Sequence, residues 1–276
     1  MIYRKNNVLE ALGQDRVPVG AFVQMRCPEI VEAAGNAGYD YVWIDWEHGS
    51  FELDTVVDMI RAAEATGLTP IVRIPCGQPA EIARVLDAGA MGIIVPQVST
   101  AEAARQAVAA AKYRTASYEP GRRGACPLIR ATGHQTLDWP AYAQWANANT
   151  TVWLLVETLE GLRNLDEILA VPGIDAIVLG AFDLAVSMGK EGDRRDPEVE
   201  RVLDGMIERV RNAGVDVVGL LFDADLESMR ASREHYVRGG CRILVAGSDR
   251  RILSNGLAAI RDAAGPDATK PNAAVR

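Results

Sequence analysis

Eight short apolar runs alternate with amphipathic helical segments along 276 residues, a pattern that predicts a (β/α)₈ TIM barrel. Three observations carry this expectation: the strict alternation, the count of eight, and the near-continuous apolar character of each run. The last is required of parallel strands covered on both faces. The apolar share, 49%, supplies one large core in the size range of a single α/β barrel.

In chain order the expected strands are 18–23 (PVGAFV), 41–45 (YVWID), 70–74 (PIVRI), 92–96 (GIIVP), 152–157 (VWLLVE), 176–180 (AIVLG), 216–221 (DVVGLL) and 241–246 (CRILVA). Helical periodicity falls between them at 28–37, 52–66, 79–88, 101–112, 162–170, 197–213 and 225–237. Pro28 and Pro79 suit first helical turns, Thr100 suits a cap, and Gly38, Gly67, Gly89 and Gly214 suit helix ends. The rhythm breaks at 113–150, where Tyr118-Glu119-Pro120-Gly121-Arg122-Arg123-Gly124 leads into a helical run near 139–148. A connection this long is expected to be functional or an interface. One barrel domain over 1–263 is expected, with this insertion between strands 4 and 5 and a loose tail at 264–276.

Charge and composition exclude several classes. Lys plus Arg total 29 against 37 Asp plus Glu, so the net charge of −8 argues against nucleic acid or anionic membrane as partners. An anionic substrate must then be met by local positive charge. No window approaches a membrane span and no signal-peptide run follows Met1-Ile2-Tyr3-Arg4-Lys5, which leads to a soluble, cytoplasmic protein. Cys27, Cys76, Cys126 and Cys241 form no C-x-x-C pair and read as core or loop residues.

Chemistry in this architecture belongs at the C-terminal strand ends. Strand 2 ends in Asp45-Trp46-Glu47-His48-Gly49, strand 3 carries Arg73, strand 4 runs into Pro96-Gln97, strand 5 ends in Glu157, and strand 6 leads to Asp183. Two converging carboxylates, Glu157 and Asp183, repel unless one is protonated or a cation lies between them. All-oxygen ligation with open positions suits Mg²⁺ or Mn²⁺, although either residue alone serves equally well as a cap or an arginine partner. His48 falls at the mouth, where an imidazole can move protons, whereas His134 and His235 fall in the insertion and on an outer helix. Arg73, at the end of an apolar strand, needs an anionic partner: a substrate oxygen, or Asp45 or Glu47 internally.

The lysine count bears on how such a mouth could stabilise a carbanion. Only Lys5, Lys112, Lys190 and Lys270 are present, and none is placed for a Schiff base, although Lys190 follows strand 6. Carbanion stabilisation then falls to a cation acting as Lewis acid. A phosphate site after strands 7 and 8 is disfavoured, because strand 7 runs into Asp223 and Asp225.

The motifs DWEHG (45–49), VRIP (72–75), LDAGAMGIIVPQV (86–98), YRTASYEPGRRG (113–124) and LLVETLEGLRNLDEILAVPGIDAIVLGAFDLAVSMG (154–189) occur in one order. Over residues 8–255 the chain resembles the HpcH/HpaI aldolases, which are class II pyruvate aldolases. The resemblance implies metal ligands at Glu157 and Asp183, a catalytic histidine at His48 and a substrate-orienting arginine at Arg73. It implies that Asp87 from a neighbouring subunit pairs with the histidine, and that Asp45 and Gln97 line the pocket. It also implies that the amides of Phe182 and Asp183 hold the ketoacid carboxylate and that Leu221 contacts the aldehyde part. The implied cofactor is Mg²⁺ or Mn²⁺, with Co²⁺ admissible. The partners are a 2-ketoacid and an aldehyde, and the assembly a homo-oligomer such as a hexamer with exchanged C-terminal helices. The chain departs from the family's Gly-Pro-x-Asp turn with Gly180-Ala181-Phe182-Asp183, and Ala125-Cys126-Pro127 is expected to reshape the entrance. Oxaloacetate decarboxylation or cleavage of a CoA thioester would use the same enolate chemistry. A non-catalytic ketoacid-binding barrel would predict a missing mouth residue.

Overall fold

A computed structural model of the chain describes residues 3–265. A short helix, α1 (Asn7–Gly13), precedes the barrel, capped by Asn6, whose side chain accepts from the amides of Val8 and Leu9. Then follow β1 (Val19–Val23), α2 (Pro28–Asn36), β2 (Tyr41–Asp45), α3 (Leu53–Ala65), β3 (Thr69–Arg73), α4 (Pro79–Ala88), β4 (Gly92–Val95) and α5 (Ala101–Ala111). After a 3₁₀ turn at Arg130–Thr132 come α6 (Trp139–Asn149), β5 (Thr151–Val156), α7 (Leu159–Arg163), α8 (Leu165–Leu169), β6 (Ala176–Leu179) and α9 (Ala181–Ser187). The chain continues through α10 (Pro197–Asn212), β7 (Asp216–Leu221), α11 (Leu226–Gly239), β8 (Ile243–Ser248) and α12 (Asp249–Ala264).

The eight strands pair in sequence order, all parallel, and β8 closes on β1, giving the expected (β/α)₈ barrel. The helix expected at 162–170 is two pieces. Asn164 divides them, and its side-chain amide is drawn to the carbonyl of Ser99 at 2.8 Å. The expected strand 241–246 runs instead over Ile243–Ser248, because Gly240 ends α11 in the left-handed region and pairing with β1 persists to Ser248. Helical periodicity alone does not assign α1, α9 or α12. The expected tail lies outside the described residues beyond Gly265.

Side-chain parity along the strands organises the interior. Phe22, Tyr41, Trp43, Ile71, Ile94, Trp153, Leu155, Val178, Val218 and Val245 form an inner cluster, while their chain neighbours Val42, Ile44, Val72, Val152, Leu154 and Val217 join the layer between strands and helices. At the N-terminal end the Tyr41 ring lies where a side chain on Gly20 would sit, so only glycine leaves room for it. Tyr41 in turn donates its hydroxyl to the Leu244 carbonyl at 2.8 Å. Val8 of α1 joins the inner cluster and closes this end.

The insertion sits at that same end. It leaves from the end of α5, so it begins where the chain has already returned to the N-terminal side of the barrel. Arg123 meets Asp87 at the end of α4 at 2.8 Å, Arg130 meets Glu64 at the end of α3, and Asn6 reaches the Asn149 carbonyl at 2.9 Å. The expectation that Ala125-Cys126-Pro127 reshapes the entrance is therefore wrong for the mouth of this chain, which lies at the opposite end.

Candidate active site

The same parity that fills the barrel delivers the site. Continuing each inward row by two residues, Tyr41 and Trp43 lead to Asp45, Ile71 to Arg73, Trp153 and Leu155 to Glu157, and Phe22 to Gln24. Gln24, Arg73 and Glu157 converge at the C-terminal mouth on a cavity of about 820 Å³, whose walls also include His48, Asp183, Phe182 and Phe222.

Arg73 is held from beneath. Its Nε donates to Asp45 Oδ1 and its Nη2 to Asp45 Oδ2, both at 2.7 Å, and its Nη1 lies 3.2 Å from Glu47 Oε2. Asp45 is fully buried and also accepts from the Gln24 amide at 2.7 Å. The guanidinium carbon stands 5.4 Å from the Trp43 ring and 5.8 Å from the Phe22 ring. A bidentate carboxylate fixes a guanidinium in plane and direction. With two N–H groups given to Asp45, Arg73 keeps donors for a ligand in the cavity that it lines. The internal pairing and the substrate-clamp role are therefore compatible, and Asp45 acts from behind Arg73 rather than in the cavity wall.

Glu157 is buried and accepts the Gln97 backbone amide at 3.0 Å. Burial pushes its carboxyl up to about 7; the Gln97 hydrogen bond opposes this, and the nearby charges of Asp183 and Glu47 add to it. Glu47 is raised as well, first by burial, against the pull of Arg73 and His48. Gly180 has no side chain because the Glu157 carboxylate occupies that space: a Cβ there would lie 2.7 Å from Oε2 and closer still to Glu157 Cβ. Asp183 is the third residue of α9, where a carboxylate favours the helix N-terminus. Ala181 takes the first helical position, so the turn forms without the proline. The Phe182 ring packs over Gly192 at the rim.

The remaining expected residues divide. His48 lines the cavity with its side chain 63% exposed and Nε2 3.7 Å from Glu47 Oε2. Asp87 lies at the far end of α4, paired with Arg123, and is remote in the chain's fold from its own mouth. Gln97, at φ 53°, is exposed and offers its backbone amide to Glu157, while its side chain is not part of the cavity wall. Leu221 is buried in the layer beneath the helices; Leu220 and Phe222 face the cavity instead, because neighbouring strand residues point to opposite faces. Gln24, Trp43, Leu220 and Phe222 are site residues that position at strand ends did not single out, although the parity of each strand places them. Lys190 is tied to Glu198 at 2.8 Å and Asp196 at 3.3 Å, and does not line the cavity. His235 makes a surface contact with Asp204 at 2.9 Å.

The donor set suits a hard divalent cation. Neither Glu157 nor Asp183 has a salt-bridge partner among the described residues, and the cavity wall brings no cysteine near them. Two oxygen donors leave the other coordination positions to water and substrate. No group of three or more His, Cys, Asp or Glu forms a closed metal site among the described residues. None of the described helices is long and apolar enough to cross a membrane.

Comparison with known proteins agrees with this geometry. The family model for HpcH/HpaI aldolase/citrate lyase matches residues 19–255. A 2-dehydro-3,6-dideoxy-6-sulfogluconate aldolase of Pseudomonas putida is 35% identical over 75% of this chain and 78% of its own. A hydroxypyruvate/pyruvate aldolase of Agrobacterium fabrum is 32% identical over 93% of this chain and 92% of its own. The crystal structure of a family protein from Burkholderia cenocepacia superposes with a TM-score of 0.85 at 29% identity, covering 95% of this chain and all of that one. With the barrel closed in this order, the carboxylate pair at its mouth and a family match across all eight strands, the chain belongs to the HpcH/HpaI aldolase/citrate lyase family.

Proposed function

We propose that the protein is a divalent-cation-dependent aldolase that reversibly cleaves a 4-hydroxy-2-ketoacid to pyruvate, or a related 2-ketoacid, and an aldehyde. The observation that carries this reading is the pairing of Glu157 and Asp183 in one cavity without a basic side chain bonded to either, beside an arginine locked in place by Asp45. The names of the relatives, a hydroxypyruvate/pyruvate aldolase among them, support the substrate class.

Glu157 and Asp183 would hold the cation, Mg²⁺ or Mn²⁺ by the hardness of the donors, with Co²⁺ a workable substitute. When bound, such a cation supplies Lewis-acid polarisation of the ketone. The first-turn amides of α9, at Phe182 and Asp183, lack helical partners and receive the ketoacid carboxylate. Arg73 directs its remaining N–H groups at the 4-oxygen, where negative charge develops as the hydroxyl is deprotonated. His48 Nε2 takes that hydroxyl proton. The C3–C4 bond then breaks, its electron pair stays with the ketoacid fragment as the enolate, and the aldehyde leaves; addition runs the same steps backward. Glu47 stands between Arg73 and His48, its Oε2 3.2 Å from Arg73 Nη1 and 3.7 Å from His48 Nε2. In a homo-oligomer, Asp87 of a neighbouring copy would complete the histidine's surroundings. The exposed apolar residues Ile252, Leu257 and Ile260 on α12 are consistent with burial against another copy.

The test is deuterium exchange into the pyruvate methyl group, followed by NMR with and without Mn²⁺, together with aldol addition to a panel of aldehydes. Cation-dependent exchange is expected. Full exchange in chelated buffer, or none under any condition, refutes the reading.

A further inference from the structure

The proposed catalytic groups occupy one arc of the mouth, from β2 to β6, and the opposite arc is built from the loop after α9, the ends of β7, β8 and β1, and the first turns of α11 and α12. At about 820 Å³ the cavity lies near the top of the roughly 300–1,000 Å³ range of small-molecule sites, far more than a three-carbon ketoacid fills. Two arginines line this second arc: Arg194, half-buried before α10, and Arg251, in the first turn of α12. Neither forms a salt bridge among the described residues. Arg251 donates through Nη1 to the Phe222 carbonyl, which anchors the side chain while leaving its other N–H groups unassigned.

The acids that the sequence placed here as a barrier to anions are occupied. Asp223 accepts from Ser232 at 3.0 Å and pairs with Arg195 at 3.4 Å. Asp225 caps α11, accepting from the Ser228 amide at 2.8 Å and hydroxyl at 2.9 Å. Asn255 lies one turn beyond Arg251 on the same face of α12, also in the wall, and Phe222 provides an apolar flank. We propose that Arg194 and Arg251 form a distal subsite for an anionic group on the aldehyde-derived end of the substrate, a carboxylate or a tetrahedral oxyanion such as phosphate or sulfonate. This rests on the aldolase reading for its catalytic consequence, and on the cavity wall alone for binding.

Two measurements test it. In the first, kcat/KM for addition of pyruvate is compared for butanal, succinic semialdehyde and glyceraldehyde 3-phosphate in wild type, Arg194→Gln and Arg251→Gln. The wild type should favour the charged aldehydes, and each substitution should lower kcat/KM for them by about 10- to 100-fold, mainly through KM, and for butanal far less. Whichever charged tail loses more identifies the preferred oxyanion, and Arg194→Lys should recover part of the loss. In the second, calorimetry without added cation compares succinate with succinamide, and the preference for succinate should be clearly smaller in Arg194→Gln than in wild type. Absence of methyl exchange with any cation fails the aldolase reading, and the succinate comparison still decides the subsite. Intact exchange with equal use of charged and neutral aldehydes in wild type and both variants overturns the subsite alone. If Arg251→Gln does not fold, having lost its bond to Phe222, Arg194→Gln carries the test.

Discussion

Replacing Glu157 by Gln separates what this carboxylate costs the fold from what it gives the cation. Its carboxyl is buried and pushed up to about 7 from an ordinary 4.5. The folded protein therefore holds a proton between those two values that the unfolded chain has released, so stability from this group is greatest below about pH 4.5 and falls as pH rises through 7. The difference of about 2.5 units corresponds to roughly 3 kcal/mol lost by about pH 8, at about 1.4 kcal/mol per unit. Glutamine keeps the shape, and its amide oxygen still accepts the Gln97 amide. Without cations, Glu157→Gln should therefore be about 2–3 kcal/mol more stable than wild type near pH 8 and about equal near pH 5. Melting temperature should rise by roughly 2–4 °C per kcal/mol in a barrel this size. Saturating Mg²⁺ or Mn²⁺ should close this gap, since a cation at a hundred times its dissociation constant stabilises only the competent site, by about 2.7 kcal/mol. The assay is thermal or urea unfolding across pH with EDTA and with cation. A variant no more stable than wild type at high pH in EDTA, or equally stabilised by cation, would refute the reasoning.

Other perturbations probe separate parts of the site. Arg73→Met leaves Asp45 fully buried without its partner and should cost roughly 3–5 kcal/mol in a urea titration, whereas Arg73→Lys should keep most of the stability and lose kcat, because an ammonium cannot bind Asp45 bidentately; unaltered kinetics in the lysine variant would remove Arg73 from the mechanism. Gly180→Ala places a methyl where the buried Glu157 side chain sits, and it should both lower stability by roughly 1–3 kcal/mol through overpacking and weaken Mn²⁺ binding in calorimetry. Leu221→Ala should destabilise by roughly 2–5 kcal/mol without altering aldehyde preference, and Leu220→Ala should do the reverse; the opposite outcome contradicts the inward row of β7. Asp183→Asn should abolish cation-dependent methyl exchange while leaving the circular dichroism spectrum unchanged.

The sequence by itself determined the barrel, because buried parallel strands need continuous apolar runs and the helices between them need a 3.6-residue stripe, and both are local patterns. It also singled out Glu157, Asp183, His48 and Arg73, because polar residues at or just beyond the ends of several neighbouring apolar strands converge on one mouth. Tertiary structure decided the rest. Closure fixed the inward rows, which turned Leu220 and Phe222 rather than Leu221 toward the cavity, set Asp45 behind Arg73, and left Gln97 only its backbone amide at the site. It carried the 113–150 insertion to the closed end, away from the mouth. It brought Arg194 and Arg251, which are 57 residues apart, to one wall, while Asp223 and Asp225 found partners of their own. Strand periodicity is written within a few residues of chain. Which face a row takes, and which charges remain unpaired there, depends on closure of all eight strands.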